Sequence, residues 1–372
     1  MKNIIIYSET SVIGGHEIMT VSLARYLIQL GCKVHFIVPS NSEKYISYIT
    51  EHLGELCALS TIKNDVTGYP LLSLINFFDL NKRSEELEKL VLDISPDLIV
   101  VSQGNIEMSL LGIKIAKRLS IPYYSYLAYT DYFSETGAKL GKLRDSINNL
   151  IYKYIAKFIL VDDIYKSDLM FRYALDDLYV VENKLENLKF KKSENSVYNS
   201  NKSKNITLLG RLYTKQKGQD VAIYAIKKLV DTYHYTNFKL NIVGTGPDEQ
   251  FLKKLVLDLD ISSHVTFTDW CSDVSHVYDN SDIILLPSNY EGFCLVLLES
   301  VYLNKRIVAS NINVFRSFLL DEQIFTKGCV SDLVNTLIFN LNENKVISYK
   351  RQPCLDDTKN FKSLSNLLAN LE

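Results

Sequence analysis

NIIIYSETSVIGGHEIMTVSLARYLIQLGCKVHFIVP, residues 3–39, decides the fold. Its first five residues, Asn3–Tyr7, form a short apolar run that reads as a buried parallel strand. Gly14 and Gly15 make a turn, Glu17–Gly31 carries a helical pattern, and Lys33–Pro39 is a second apolar run. Strand, glycine turn, helix, strand is a βαβ unit. Working outward, further strands are predicted at Leu98–Val101, Pro122–Tyr126 and Phe158–Val161, with helical patterns between them. This alternation implies a doubly wound parallel sheet.

The rhythm breaks between Leu185 and Asn205, where KKSENSVYNSNKSKN is polar and poor in large apolar residues. Such a stretch reads as a linker. The alternation then restarts, with strands predicted at Ile206–Leu209, Lys239–Val243, Val265–Phe267, Ile283–Leu286 and Arg306–Ala309. Helical patterns cover Gly218–Asp231, Asp248–Leu257 and Cys294–Leu303. A length of 372 residues also exceeds one ordinary core and suits two α/β domains. The expected division is a first domain at 1–185, a linker at 186–204, a second domain at 205–350, and a C-terminal helix at 351–372 packing back on the first domain. Ligands of such sheets bind outside the carboxyl ends of the strands. Two domains facing across a cleft would hold two ligands head to head, an arrangement for group transfer.

Composition excludes several classes. A net charge of −2 supplies no basic field for nucleic acid. The six cysteines form no C-x-x-C pair and no zinc spacing, which fits a reduced, cytoplasmic setting. MKNIIIYSET has no apolar run long enough for a signal peptide, and no uncharged apolar stretch reaches membrane-spanning length. Any membrane contact is therefore expected to be peripheral, on the inner face of the cell membrane.

Three segments of the second half carry chemistry. In LLGRLYTKQKGQD, residues 208–220, a strand ends at Gly210, Arg211 and Lys217 leave the following loop, and Gly218 opens a helix. Two cations beside a helix N-terminus favour a polyanion such as a diphosphate, though a solvated basic loop reads the same way. In NIVGTGPDEQ, residues 241–250, Gly244 and Gly246 permit either a close ligand approach or simply a tight turn. In SDIILLPSNYEGFCLVLLES, residues 281–300, Glu291 and Gly292 precede an apolar helix carrying Glu299. A carboxylate on that buried face needs partners, and sugar or ribose hydroxyls are suitable donors. The N–H groups of Phe293, Cys294 and Leu295 are left free at the helix start.

In this order and spacing the motifs resemble the GT-B fold, retaining glycosyltransferases of family 4. The residues that carry the resemblance are G-R-L…K-G at 210–218, V-G-x-G-P at 243–247, P-S…E-G-F at 287–293, the E-x7-E pair Glu291/Glu299, and G-G-x-E at Gly14–Glu17. The resemblance implies an α/β protein of two Rossmann-like domains that moves a sugar from a nucleotide-sugar donor, such as a UDP- or GDP-sugar. The acceptor would be a glycan or a lipid-linked sugar in bacterial surface polysaccharide assembly. It implies Arg211, Lys217 and Glu291 as the catalytic set, the cations on the donor diphosphate and Glu291 on donor-sugar hydroxyls. Glu299 would take the ribose, and Gly15, Gly210, Gly244, Gly292, Phe293, Cys294 and Leu295 would line the donor. No metal and no other cofactor is expected, because two cations already serve the diphosphate.

The chain departs from the family pattern in places. Cys294 stands where relatives often carry a second glycine, and Asn304–Ile307 replaces a G-x-P-V run. A first-domain histidine is missing from YYSYLAYTDYF, residues 123–133, leaving Asp131 as the acceptor-side candidate or a loop or helix-cap carboxylate. His16 is a second acceptor-side candidate, although a surface histidine is the plainer reading. Asp258-Leu259-Asp260 matches a metal-binding D-x-D but closes a helical pattern, so it reads as a solvated helix end. GAKLGKLRDSINNLIYKYIAKF, residues 137–158, is either an ordinary domain helix or a basic amphipathic helix able to dock on anionic lipid. Competing functions are a sugar-nucleotide epimerase, a phosphorylase, or a non-catalytic sugar-nucleotide-binding module.

Overall fold

A computed structural model describes residues 1–11, 13–63, 82–183, 185, 203–269, 274–343, 347–353 and 355–371. The chain forms two compact units: Met1–Lys184 with Cys354–Glu372, and Leu185–Pro353.

The first unit is built on a seven-stranded parallel sheet. Its strands are β1 (Asn3–Tyr7), β2 (Lys33–Pro39), β3 (Cys57–Ile62), β4 (Leu98–Gln103), β5 (Tyr123–Leu127), β6 (Phe158–Leu160) and β7 (Leu178–Val180). The crossover helices include α1 (Gly15–Gln29), α2 (Glu43–Leu53), α3 (Lys82–Ile94), α4 (Leu110–Arg118), α5 (Gly141–Ile155) and α6 (Asp163–Tyr173). Ile4, Ile5 and Ile6 are fully buried because helices cover both faces of the sheet, as the unbroken apolar run requires. The order β3-β2-β1-β4-β5-β6-β7 reverses direction between β1 and β4. At that switch point neighbouring connections leave to opposite faces, and a crevice opens at the carboxyl ends. The C-terminal helix Thr358–Ala369 belongs to this unit. It buries Leu364 and Leu367, and Tyr26 donates to Asp357 just before it at 2.6 Å.

The second unit repeats the plan with β8 (Lys204–Leu209), β9 (Phe238–Val243), β10 (Val265–Thr268), β11 (Ile283–Leu286), β12 (Arg306–Ser310) and β13 (Ile324–Phe325). Its helices include α7 (Thr214–Lys217), α8 (Gln219–Tyr233), α9 (Glu249–Asp258), α10 (Ser275–Asp279), α11 (Leu295–Tyr302), α12 (Asn313–Phe318) and α13 (Val330–Asn342). The strand period of two divides the core cleanly. Leu208, Ile283 and Leu285 pack on the face of α8, α9 and α13, whereas Leu209, Ile284 and Leu286 pack on the face of α10, α11 and α12. The order β10-β9-β8-β11-β12-β13 places the switch point between β8 and β11.

Sequence reading and structure differ at the margins. The edge strands β3 and β13 and the three-residue β7 were not expected, because a half-covered or very short strand lacks a continuous apolar run. The first helix starts at Gly15, not Glu17, since the Glu17 carboxylate reaches back to accept the Gly14 N–H at 2.8 Å and caps the turn. Residues 186–202 of the expected linker lie outside the described residues, and Lys204 at its end already belongs to β8. Residues beyond 350 stay with the second unit to Pro353, where Arg351 lies over the Phe318 ring.

Gly244 has φ +140°, and a Cβ there would collide with the Gly210 carbonyl oxygen. Gly246 is equally tight against the Leu212 backbone. These glycines therefore let the loop after β9 pack directly on the loop after β8. Gly244→Ala should cost about 2–4 kcal/mol from the unfavourable φ and the clash together. A lowered thermal midpoint checks this; an unchanged midpoint would show that the two loops can part without cost.

Candidate functional site

The loop after β8 is held from three sides. Asp248 accepts from the Thr214 N–H and hydroxyl, both at 2.7 Å, and its own N–H donates to the Leu212 carbonyl at 3.1 Å. The Gln219 amide donates to the Arg211 carbonyl at 2.9 Å. The Asn289 N–H, from the loop after β11, donates to the Gln216 carbonyl at 2.7 Å. Gly218 joins α7 to α8 at φ +63°, where a Cβ would strike the Pro287 carbonyl oxygen. Only glycine lets the two loops meet so closely.

At this junction the structure brings Lys217 and Glu291 together. Lys217 Nζ donates to Glu291 Oε1 at 2.6 Å, with side chains 17% and 6% exposed. Ser288 donates to the same oxygen at 2.6 Å, and the Ser310 hydroxyl donates to the Ser288 carbonyl. Burial is the strongest single influence on the Lys217 pKa and pulls it down, but the Glu291 charge and hydrogen bond, together with Cys294 and Tyr290, outweigh it and the net shift is upward. The lysine is therefore a permanent cation with donors to spare. Arg211 is exposed at the mouth of the same loop.

Glu299 lies two turns along, on α11. Burial raises its pKa, and the Tyr278 hydroxyl, donating to Oε2 at 2.5 Å, offsets part of that. Tyr278 is itself fully buried on α10. Among the described residues no protein acceptor meets the N–H groups of Phe293, Cys294 and Leu295 at the start of α11. Cys294 is buried, its thiol pushed up to about 12 chiefly by that burial, so it fills space and is no nucleophile. Phe293 packs edge-on against Phe318. The result is one sheet end carrying two cations, a carboxylate held through one oxygen by Lys217 and Ser288, a second carboxylate held by Tyr278, and, among the described residues, N–H groups without a protein acceptor. Tyr278, Ser288 and Asp248 were not singled out from the sequence: each is an ordinary residue whose role exists only through its partner.

The first unit corrects one expectation. His16 is not a surface histidine: its Nε2 lies 2.9 Å from the Ser102 hydroxyl, its ring stacks on Tyr126, and its Nδ1 is buried. Desolvation lowers its pKa to about 4, so it is neutral near pH 7. Gly15 is the exposed first residue of α1. Asp131 sits in the loop after β5 and caps no helix; the N-cap of α5 is Leu140. Within the basic stretch, Arg144 is unavailable to a membrane because it is paired with the buried Glu107 at 2.6 Å. The remainder of α5 still exposes Leu143 and Leu150 beside Lys142 and Lys153. Asp258 ends α9 and is exposed, as is Asp260 beyond it. No cluster of metal-ligating side chains occurs among the described residues. No helix among them is long and apolar enough to cross a membrane.

Comparison with known proteins agrees with this layout. Residues 190–352 match the sequence model of a family described as Glycosyl transferases group 1. An uncharacterized glycosyltransferase of Haemophilus influenzae is 26% identical over 304 residues, 80% of this chain and 77% of that protein. The O-antigen biosynthesis glycosyltransferase WclY of Escherichia coli is 29% identical over 154 residues, 41% of this chain and 38% of its own length. Among solved structures, Anabaena HepE in complex with UDP and glucose superposes with a TM-score of 0.70 at 16% identity, covering 100% of this chain and 95% of that one. The fold is GT-B, two Rossmann-like units.

The buried Glu299 makes stability depend on pH in a defined sense. Its folded pKa lies above the ordinary 4.5, so the folded state holds the proton more tightly than the unfolded state does. The stability it confers is complete below the ordinary value and is lost as pH rises through the raised one. Glu299→Gln cannot ionise and escapes that loss. Melting temperatures of variant and parent should therefore diverge in favour of the variant as pH rises from 4 to 8. A constant difference would show that Glu299 titrates normally.

Proposed function

We propose that this chain, whose residues 190–352 match the sequence model described as Glycosyl transferases group 1, moves a hexose-type sugar from a nucleotide-sugar donor to a glycan or lipid-linked acceptor with retention of configuration. The observation that carries this reading is the Lys217–Glu291 bond spanning the switch point, with Glu299 on the same helix-strand end. Lys217 and Arg211 face where a diphosphate would collect negative charge as the bond from sugar C1 to phosphate oxygen breaks. The acceptor oxygen bonds to C1 on the same face, and the leaving phosphate takes the acceptor proton. Glu291, held by Lys217 and Ser288, accepts donor-sugar hydroxyls, and the spare oxygen of Glu299 accepts from the ribose. Protein cations serve the diphosphate, so no metal is required.

The name of WclY, and the UDP and glucose bound to HepE, support a UDP-sugar and bacterial surface polysaccharide as the setting. The exposed Leu140, Leu143 and Leu150 of the α5 region, 62%, 55% and 70% exposed, support peripheral membrane contact near a lipid-linked acceptor.

A thermal-shift screen against UDP- and GDP-sugars should find at least one that raises the melting temperature, since only ligands of the folded state do so. The shift and turnover should survive a chelator. Lys217→Ala should lower turnover roughly 10²–10³-fold, by removing a cation from the developing charge. It should also lose most of the nucleotide-induced shift. Retention of the full shift would place the donor elsewhere. Leu143→Glu with Leu150→Glu should abolish sedimentation with phosphatidylglycerol vesicles while leaving the nucleotide shift intact; vesicle binding equal to the parent's would remove the membrane reading.

A further inference from the structure

The switch point of the first unit holds a polar group for which the donor reading has no use. His16 stands in the first turn of α1, after β1, and reaches across to Ser102 near the end of β4. Three contacts link these residues in a short circuit. Thr20 Oγ1 donates to the His16 carbonyl at 2.9 Å. Thr20 Oγ1 and Ser102 Oγ lie 2.8 Å apart. Ser102 Oγ and His16 Nε2 lie 2.9 Å apart.

Counting protons around this circuit points to one imidazole tautomer. Each hydroxyl has one proton. Thr20 spends its own on the His16 carbonyl, so Ser102 must donate in the Thr20–Ser102 contact. Ser102 then offers only lone pairs to His16, and Nε2 must carry the ring proton. The opposite arrangement would put the proton on Nδ1, leaving a buried N–H with no acceptor, the costlier orphan. What remains is an Nδ1 lone pair, buried and without a hydrogen-bond partner among the described residues. The ring stacks on Tyr126, with centroids 5.1 Å apart, and the Ser102 contact at Nε2 sets which edge carries Nδ1. The residue as a whole stays partly exposed, at the carboxyl ends of the central strands, where ligands of such sheets bind.

We propose that His16 Nδ1 is a fixed, uncharged hydrogen-bond acceptor for a hydroxyl of a sugar substrate, with Ser102 and Thr20 as positioning residues that lock its tautomer. This deepens the glycosyl-transfer reading and rests on it. The chemistry excludes a phosphate partner, because an anion offers no proton to a lone pair. It also separates His16 from a proton-abstracting base: the low basicity that burial gives the ring suits accepting a hydrogen bond and not keeping a proton.

The test is nitrogen-15 NMR of the histidine rings in the full chain, with the His16 signals identified by their loss in His16→Gln. The unliganded protein should show Nε2 protonated and Nδ1 bare at pH 7, and Ser102→Ala should introduce the other tautomer. A protonated Nδ1 in the parent overturns the proposal. UDP, UDP-glucose, GDP-mannose and octyl glucoside are then added separately. A displacement of the Nδ1 signal by a nucleotide sugar but not by UDP assigns the hydroxyl to the donor sugar; displacement by octyl glucoside assigns it to the acceptor. His16→Asn, whose amide oxygen falls near the Nδ1 position, should bind the active probe within about twofold of the parent. His16→Gln, which keeps only a donor near Nε2, should weaken it about five- to tenfold, the worth of one hydrogen bond. If nucleotide sugars raise the melting temperature but no probe moves Nδ1, the donor reading stands and this proposal falls. If no nucleotide sugar binds, both fall.

Discussion

Loops that leave neighbouring strands of a parallel sheet toward opposite faces cannot be covered by their own helices. The second unit meets this constraint at β8 and β11 with a direct bridge. Lys217 and Glu291 bond at 2.6 Å, Asn289 donates to the Gln216 carbonyl, and Gly218 lies flat against Pro287. A nearly buried ion pair is not a cheap way to hold loops together, because desolvation cancels much of its attraction. Apolar residues would serve stability as well. The pair makes sense as a means of keeping a cation and a carboxylate at fixed positions in a crevice, where each still has unused hydrogen-bonding capacity.

The first unit meets the same constraint without charge. Its bridge across β1 and β4 is the His16–Ser102 contact, a neutral ring on a hydroxyl. The difference sorts ligands by chemistry. Arg211, Lys217 and the N–H groups at the start of α11 suit an anion in the proposed reading, whereas an uncharged lone pair suits a hydroxyl. Neither property follows from the shared architecture, which would accommodate many activities. Both follow from which residue type stands at the bridge.

What was legible in the sequence was what burial writes into it. Runs such as Ile4–Ile6 and Ile283–Leu286 are apolar throughout because both sheet faces are covered, and they mark the central strands to within a residue or two. The edge strand Cys57–Ile62 mixes partly exposed and exposed positions and buries only Ile62, so no such run exists there. At the site, Lys217, Glu291 and Glu299 were visible as residue types at a spacing, but their mutual state was not. The Lys217–Glu291 bond joins positions 74 residues apart, and the Glu299 partner Tyr278 lies on another helix. His16 was misread for the same reason. Its neighbours in the chain are glycine and glutamate, whereas the groups that bury it, Ser102 and Tyr126, arrive from distant strands.

The two glutamates show what the geometry adds to a motif. They sit eight positions apart on one loop-and-helix segment, which invites comparison with the acid–base carboxylate pairs of hydrolases. Their surroundings argue otherwise. Glu291 is tied to the Lys217 ammonium and the Ser288 hydroxyl, both of which donate to its Oε1. Glu299 faces a neutral phenol that itself spends a proton on it, and among the described residues its second oxygen has no such donor. One carboxylate is thus a rigid anionic fixture and the other a receptor with an open lone pair. Neither is placed to shuttle a proton, and in the proposed transfer the acceptor's proton would leave on the substrate's own phosphate. That is why a cation pair, and not a carboxylate pair, is the centre of this site.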